Sequence, residues 1–338
     1  MSHPIAGTEA TSAEPAGGSG QGNLPGRAMP AAEAAPIDAI LRRKQVRWPR
    51  LRLLMRMPLP LTAAVVLIVL VLLAVVVAPF MFELANRQNL HYRFYPPFQL
   101  SGGLLYILGA DALGRSLLAE IIYGARTSFM VAGSSVLVAA TIGFAVGMVS
   151  GFVGGWLDAF VMRVGDIIVT LPSLLMALAV LFVLGPSVSN LIIVLSISRL
   201  PVFLRTARAQ ALAIREWTFV KVSRSIGARP LRIIWTDIRP LVAPTIMTVA
   251  MLELGQTMLS VAGLSFLGVG LQRPDVDWGT MVAEGRQYMQ SAWWVTVFPG
   301  LAIMLTAFSA NILSNWLRAV GDPLQAGALF ANAAREQQ

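Results

Sequence analysis

The chain has 338 residues, of which 56% are hydrophobic and 13% are charged. Soluble domains carry about a quarter charged residues, so this composition excludes an ordinary soluble protein and indicates a chain that crosses a membrane several times. The formal net charge is +9, and most of the excess lies beside apolar segments, where it favours cytoplasmic retention and contact with anionic lipid rather than nucleic-acid binding. Cysteine is absent, which excludes disulfides and thiolate metal sites.

The N-terminal region, residues 1–57, is predicted to be a cytoplasmic tail. Residues 1–38 are rich in Ala, Gly, Pro, Ser and Glu and show no hydrophobic periodicity, which indicates disorder. Basic residues then precede the first apolar segment, and Lys and Arg close to a span are retained in the cytoplasm. These basic residues are Arg42, Arg43, Lys44, Arg47, Arg50, Arg52 and Arg56.

Six segments are long and apolar enough to cross a hydrocarbon core of about 30 Å as helices. They are residues 59–81, 128–150, 162–185, 188–205, 243–268 and 292–317. The sequence therefore predicts an all-α polytopic membrane protein with a transmembrane domain over residues 58–325. Six crossings return the C-terminal tail, residues 326–338, to the cytoplasm. Residues 82–127 then form an external segment and residues 206–241 a large cytoplasmic loop.

Residues for catalysis or metal binding are scarce in this chain. A phosphate-binding loop of the Walker type needs Lys followed by Ser or Thr, and neither Lys44 nor Lys221 is followed by one. The histidines are His3 and His91, too few for histidine-based zinc chemistry. We therefore predict no catalytic residue, no cofactor and no metal site, and we expect any ATP hydrolysis to take place on partner chains.

The cytoplasmic loop over residues 206–241 is predicted to contain two short amphipathic helices, over residues 218–226 and 230–238. Apolar residues of the first recur at i, i+3 and i+7 and so fall on one face. They are Phe219, Val222 and Ile226. Gly227 can adopt the left-handed conformation that ends a helix, and Pro230 suits the first turn of the next one.

The residue types of this loop also match a known sequence pattern. The relevant positions are Arg215-Glu216, Lys221 to Ala228, Ile233-Ile234 and Ile238-Arg239-Pro240. They resemble the signature loop of bacterial ATP-binding-cassette (ABC) importer permeases, in which a coupling helix sits in a cleft of the ATPase subunit. The resemblance implies an ATPase-coupling set: Glu216, Phe219, Lys221, Val222, Ser223, Arg224, Ile226, Gly227 and Ala228. The family usually has Glu-Ala-Ala where this chain has Lys221-Val222-Ser223, which reverses a charge at the expected docking surface.

Further segments, in order and spread over residues 60–325, narrow the resemblance to the dipeptide, oligopeptide and nickel permeases. They include Leu108 to Ser116, Tyr123 to Ser128, Gly151 to Asp158, Leu264 to Gly270, Trp278-Gly279 and Phe298-Pro299-Gly300. The order and charge balance are similar to the second, C-type permease of peptide importers. Two positions depart from the family pattern: Val261, usually Glu, and Ala319, usually Asp.

This resemblance implies a type I importer subunit in the bacterial cytoplasmic (inner) membrane, working by alternating access. It implies three partners besides lipid: a homologous permease, cytoplasmic ATPase subunits and an external substrate-binding protein. Di- or oligopeptides are the expected cargo, and nickel or another small ligand is the alternative. A different class, an ion-gradient-driven secondary transporter, predicts inverted repeats, broken helices and several ionisable groups in the membrane.

Polar residues interrupt the fifth predicted span. Glu253, Gln256 and Ser260 follow one another at i, i+3 and i+7 and form a stripe on one helix face. Glu253 is the one ionisable residue that we place deep in the membrane, where it needs water or a partner. The stripe is predicted either to line the translocation path or to hydrogen-bond the companion subunit.

Four smaller features complete the sequence-based predictions. Asp111 is predicted to cap a short interfacial helix that begins near Leu117. Pro172 and Pro201 are predicted to distort the third and fourth spans. Small residues four apart allow close helix packing, and we expect this of the glycine run at Gly143, Gly147, Gly151, Gly154 and Gly155. The external acids either pair with the binding protein or are solvated; they are Asp275, Asp277 and Glu284.

Overall fold

The structure is a computed structural model that describes Leu54 and residues 57–321. The predicted tails therefore lie almost entirely outside the described residues. Within the described part, five helical segments are long and apolar enough to cross a membrane, or six if one bent helix pair counts as a single span. This part of the chain is a bundle of helices, as predicted from the length and apolar composition of the segments.

The first membrane-length segment changes helix type along its length. Helix α1 (Pro58–Leu72) continues through a π-helical stretch, Leu73–Val77, and a 3-10 stretch, Ala78–Met81, into the short helix α2 (Phe82–Asn86). Pro79 lies in the 3-10 stretch. Because proline has no N–H and its ring crowds the preceding turn, the regular α-helical hydrogen bonding cannot pass through this point.

The remaining helices follow in chain order. They are α3 (Leu117–Val153), α4 (Gly155–Thr170), α5 (Ser173–Leu184), α6 (Val188–Ile214), α7 (Thr218–Ser225), α8 (Pro230–Arg232), α9 (Arg239–Phe266), α10 (Trp278–Gly285) and α11 (Trp294–Gly321). A π-helical stretch, Ile233–Ile238, joins α8 to α9 without a break. Short 3-10 turns at Leu90–Tyr92, Leu100–Gly102, Leu104–Tyr106 and Arg286–Tyr288 shape the other connections.

The predicted third span, residues 162–185, is not one straight helix. It is divided between α4 and α5, which meet at an angle of 83°. Leu171 is extended at the end of α4, and Pro172 precedes the first residue of α5. A residue before proline is driven out of the helical region, so this local pair causes the bend. Pro201, in contrast, lies inside the continuous helix α6.

Two boundary predictions were wrong. Asp111 does not cap an interfacial helix: Ser116 caps α3, and its Oγ accepts a hydrogen bond from the N–H of Ala119 at 3.3 Å. Residues 117–127 are therefore the start of the second membrane-length helix rather than a separate external one. Likewise, the predicted second helix of the cytoplasmic loop, 230–238, is the first part of a continuous helical segment, Pro230–Phe266.

Helices α3 and α6 pack backbone to backbone along three glycines of α3. A Cβ atom at Gly143 would lie 2.6 Å from the Cβ of Phe203, and one at Gly151 would lie 2.6 Å from the carbonyl oxygen of Arg208. This confirms the predicted close packing for Gly143, Gly147 and Gly151. The prediction was wrong for Gly154 and Gly155, which have positive φ and lie where α3 ends and α4 begins. Helix α3 contacts α10 near its beginning, where Trp278 Nε1 donates to the carbonyl oxygen of Ile121, and α7 in its last turn, where Arg224 stacks over Phe152. We therefore call the two ends of the bundle the α10 end and the α7 end.

Candidate functional site

Helix α7 is held against the bundle by one fully buried side chain. Val220 has no exposed surface and belongs to an apolar cluster with residues of α3, α6 and the stretch leading into α9. Its neighbours in this cluster include Phe152, Ile214, Ile233, Ile234 and Ile238. Because Val220 inserts among three membrane-length helices, a force on α7 acts on all of them.

The opposite face of α7 is apolar and exposed. The three residues predicted to share a face do so: Phe219 is 40% exposed, Val222 54% and Ile226 78%. Trp217, just before the helix, is half exposed and its ring packs edge-on against Phe219. An exposed apolar patch of this kind is typical of an interaction surface.

The end of α7 is fixed by Gly227, which has φ +82°. The N–H of Gly227 donates to the carbonyl of Arg224, and the N–H of Ala228 donates to the carbonyl of Ser223, both at 3.0 Å. This pair of bonds is the Schellman arrangement, which needs a left-handed residue. The predicted role of Gly227 in ending the helix is confirmed, and Ser223 and Ala228 contribute backbone groups to the same turn.

Charged side chains brace α7 from its sides. Glu216 lies between Lys221, 3.4 Å away, and Arg215, 3.3 Å away. The hydrogen bond from Lys221 is the main reason why the pKa of Glu216 lies below its ordinary value. The Arg224 guanidinium stacks over the Phe152 ring at 4.4 Å, a cation–π contact with the last turn of α3.

A second polar group of this end joins α4 to α6. Arg208 donates to both carboxylate oxygens of Asp158, with Nη2 to Oδ2 at 2.6 Å. Arg215 donates from Nη1 to the carbonyl oxygen of Gly151 at 3.1 Å. These bonds fix the position from which α6 leads into α7. The α7 end is therefore a braced platform that presents one apolar face.

Two residues of the polar stripe in the fifth predicted span, Glu253 and Ser260, contact Arg199 of this chain. Glu253 is 6% exposed and its Oε2 lies 3.2 Å from Nη1 of Arg199. Arg199 also donates from Nη2 to Ser260 Oγ at 2.6 Å and to the backbone carbonyl of Gln256 at 3.3 Å. The sequence analysis missed Arg199, which lies inside the predicted span 188–205. An arginine in an apolar helix is itself a signal for a buried partner.

The third residue of the stripe, Gln256, lines a groove between α9 and α11. The groove has a volume of about 600 Å³. It is lined by apolar and small residues together with the carboxamides of Gln256 and Asn311. Of the three predicted path residues, Glu253 and Ser260 therefore face α6, whereas Gln256 lines a groove.

A cluster of five charged residues lies at the α10 end. Arg115 pairs with Asp111 and, at 3.0 Å, with Glu120; Arg273 pairs with Glu120 at 3.1 Å and with Glu284 at 2.6 Å. The cluster ties the segment before α3 to the loop that holds α10. Among the described residues, no group of acidic or histidine side chains is arranged to hold a metal ion.

Asp277 was predicted either to pair with a binding protein or to be solvated, and this prediction was wrong. Its side chain is fully buried, accepts from the N–H of Thr280 at 2.7 Å and from Ser265 Oγ at 2.8 Å, and so caps α10. Glu284 is engaged by Arg273 within the chain. Neither acid is a simple solvated charge of an external loop.

The sequence is similar to those of known membrane transport proteins. Residues 143–323 match the family described as binding-protein-dependent transport system inner membrane component. The chain is 37% identical over 243 residues to the probable D,D-dipeptide transport system permease protein of Escherichia coli K12, covering 72% of this chain and 80% of that protein. It is 38% identical over 229 residues to the di/tripeptide transport system permease protein of Pseudomonas aeruginosa, covering 68% and 76%.

A third relative widens the range of named cargo. The chain is 35% identical over 249 residues to the glutathione transport system permease protein of Escherichia coli O6:K15:H31, covering 74% of this chain and 82% of that protein. The family match includes α6, α7, α9 and α11 in full, and so includes both the α7 platform and the groove. The chain therefore belongs to the family of inner membrane components of binding-protein-dependent transport systems.

Proposed function

We propose that this chain is one transmembrane subunit of an ATP-driven importer that carries di- or oligopeptides across the bacterial inner membrane. Partner chains would hydrolyse ATP, an external binding protein would deliver the cargo, and a homologous permease would form the other half of the pathway. The α7 end would face the cytoplasm, because it carries most of the basic residues and basic residues are retained there.

The observation that carries this proposal is the division of α7 into two faces. Val220 is buried in the bundle, whereas Phe219, Val222 and Ile226 are exposed. Exposing such a patch is unfavourable unless a partner covers it. An amphipathic helix whose apolar face docks into a groove is a recurring recognition mode. Because this chain has no phosphate-binding loop of its own, an ATP-driven importer needs a separate ATPase subunit, which is the partner that we assign to this face.

The same packing supplies a route for coupling. The cluster around Val220 contains Ile214 at the end of α6 and Ile238 at the entry to α9. Arg199 and Glu253 connect these two helices again, near the middle of each helix. ATP binding in the partner would bias the importer between two states through its differential affinity for them, and α7 would transmit that bias to α6 and α9 together.

The peptide cargo is supported by the relatives, whose names refer to D,D-dipeptides, di- and tripeptides and glutathione. Import of nickel or another small ligand by the same architecture is the alternative. Uptake of a radiolabelled peptide mixture and of radiolabelled nickel by cells with and without the transporter separates the two. Peptide uptake that is lost on deletion, with nickel uptake unchanged, is expected.

The coupling assignment is tested by purifying the tagged chain from membranes in mild detergent and assaying ATPase activity. Gly227→Val would strain a left-handed turn, whereas Gly227→Asn is the matched control because asparagine adopts that conformation more readily. We expect ATPase chains to co-purify with the wild-type chain and with Gly227→Asn, and not with Gly227→Val. Recovery of the chain alone, with transport in liposomes without ATP, would instead indicate an ion-gradient-driven secondary transporter.

A further inference from the structure

We infer that the groove between α9 and α11 is a peptide-binding half-site, in which the carboxamides of Gln256 and Asn311 bind the cargo's backbone amide. The inference rests on the proposed function, since it assigns the surface in this chain that the cargo touches. The α7 platform concerns energy coupling and is a different surface. The groove lies on two membrane-length helices and opens on the outside of the isolated bundle.

The groove contains two exposed polar side chains in the middle of membrane-length helices, where a lipid-facing surface would be apolar. Gln256 and Asn311 are both exposed, and each lies more than two helical turns inside its helix. An exposed carboxamide facing hydrocarbon has no hydrogen-bonding partner, which is costly. Arg199 and Ser260 donate to the backbone carbonyl of Gln256 and leave its side-chain amide available. Asn311 accepts from Asn315 at 3.2 Å, which extends the polar surface by one turn.

The floor of the groove is built so that the two helices touch closely. A Cβ atom at Gly255 would lie 3.1 Å from the carbonyl oxygen of Ala307. Above this crossing, Gly263 and Gly300 line the groove, and a Cβ at either would meet nothing within 4 Å. The glycines therefore keep space open that no side chain of the described residues fills. The resulting volume, about 600 Å³, is in the range of small-molecule sites.

The chemistry of the lining selects the class of ligand. A carboxamide has both a donor and an acceptor, as has a peptide group, so the two pair without reading the peptide's side chains. The rest of the lining includes Leu259, Met304 and Phe308. Methionine adapts its shape to different neighbours, which suits cargo with variable side chains. The openness of the groove to one side is what a half-site completed by the companion permease requires.

The absence of cysteine from the chain allows single-cysteine probes in the complete transporter. Asn311→Cys is compared with Val75→Cys. Val75 is a residue of the first span and is 66% exposed. We expect a membrane-impermeant thiol reagent to label position 311 and not position 75. Excess Ala-Ala is expected to slow labelling of position 311, whereas free alanine, which lacks a peptide bond, is not.

Two results would overturn the half-site. Labelling of position 311 that Ala-Ala does not slow would show a water-accessible surface without a peptide site. No labelling at position 311 would show that lipid or a helix covers the groove. In each case the complex would still contain active ATPase chains, so the failure is distinguishable from failure of the proposed function.

A substitution that fills the groove gives an independent readout. Gly263→Leu places a side chain in open space, and Gly133→Leu is the matched control, since a Cβ at Gly133 of α3 also meets nothing within 4 Å. We expect Gly263→Leu to abolish peptide uptake while assembly and ATPase activity remain, and Gly133→Leu to transport normally. Asn311→Leu should raise KM about fivefold by removing one hydrogen bond with little change in kcat. Normal KM values in both groove variants would overturn the inference.

Discussion

Gly151 of α3 and Arg208 of α6 touch through their backbones: a Cβ at Gly151 would lie 2.6 Å from the Arg208 carbonyl oxygen and 3.2 Å from the Ala211 Cβ. The same glycine accepts a hydrogen bond from Arg215. The two helices that support α7 are therefore in backbone contact at this point. Because a backbone carbonyl cannot move aside as a side-chain end can, even one methyl group forces the helices apart.

The first prediction follows from this contact. Gly151→Ala should destabilise the subunit by about 1–3 kcal/mol, the range for overpacking a tight site. Gly133→Ala is the control in the same helix, where open space surrounds the new methyl group and the helix gains up to about 1 kcal/mol in propensity. Thermal unfolding in detergent should therefore give opposite shifts. Equal shifts would contradict the packing described for α3 and α6.

The second prediction concerns the Arg199–Glu253 pair. Arg199→Leu leaves Glu253 buried without its partner, which should lower stability by about 3–5 kcal/mol. The double variant Arg199→Leu/Glu253→Leu removes both charges and should recover much of this loss. Arg205→Leu is the control, because Arg205 and Asp166 are both about half exposed and such a pair contributes about 1 kcal/mol or less.

The measurement is the apparent Tm of the purified subunit across the double-mutant cycle. If the double variant were as unstable as Arg199→Leu, the effect would come from lost packing of the arginine stem rather than from an unpaired carboxylate.

Periodicity predicted which residues of α7 share a face, but not which face is buried. Phe219, Val222 and Ile226 lie together as their spacing requires, whereas the buried residue is Val220, whose place depends on α3, α6 and the entry to α9. Local chain chemistry was equally reliable at Gly227, where a turn needs a left-handed residue. The helix end could be predicted; the surface that it packs on could not.

Long-range contacts explain the predictions that failed. Arg199 was missed because one arginine does not change the mean hydropathy of an apolar span, and its partner Glu253 lies on another helix. Asp277 was taken for a loop charge because its burial depends on Ser265 of α9 and on α10. Asp111 was taken for a cap because the sequence alone does not show that Arg115 engages it.

The third prediction is a pH dependence at the α10 end. Burial raises the pKa of Asp277 above its ordinary value, although hydrogen bonds from Thr280 and Ser265 oppose the rise. Because the folded carboxyl then binds its proton more tightly than the unfolded one, stability should fall as pH rises from the unfolded pKa, about 3.9, to the folded pKa, and be constant above it.

Asp277→Asn keeps a good capping residue and removes the titration. The difference in apparent Tm between wild type and Asp277→Asn, measured from acidic to neutral pH, should therefore change in favour of the variant. Asp277→Ala also loses the cap and should be less stable than Asp277→Asn by about 1 kcal/mol. A difference between wild type and Asp277→Asn that stays constant with pH would disprove the assignment.

The fourth prediction separates the two faces of α7. Phe219→Ala and Ile226→Ala should each weaken association with the ATPase chains by about 1–2 kcal/mol, or about 5- to 30-fold in Kd, while leaving the Tm of the free subunit unchanged. Val220→Ala should do the reverse, since it opens a cavity in the core without altering the exposed face. Affinity is measured between purified subunits in nanodiscs. If Val220→Ala weakened binding and Ile226→Ala did not, α7 would act only as a structural brace, and the ATPase contact would have to lie elsewhere on the α7 end.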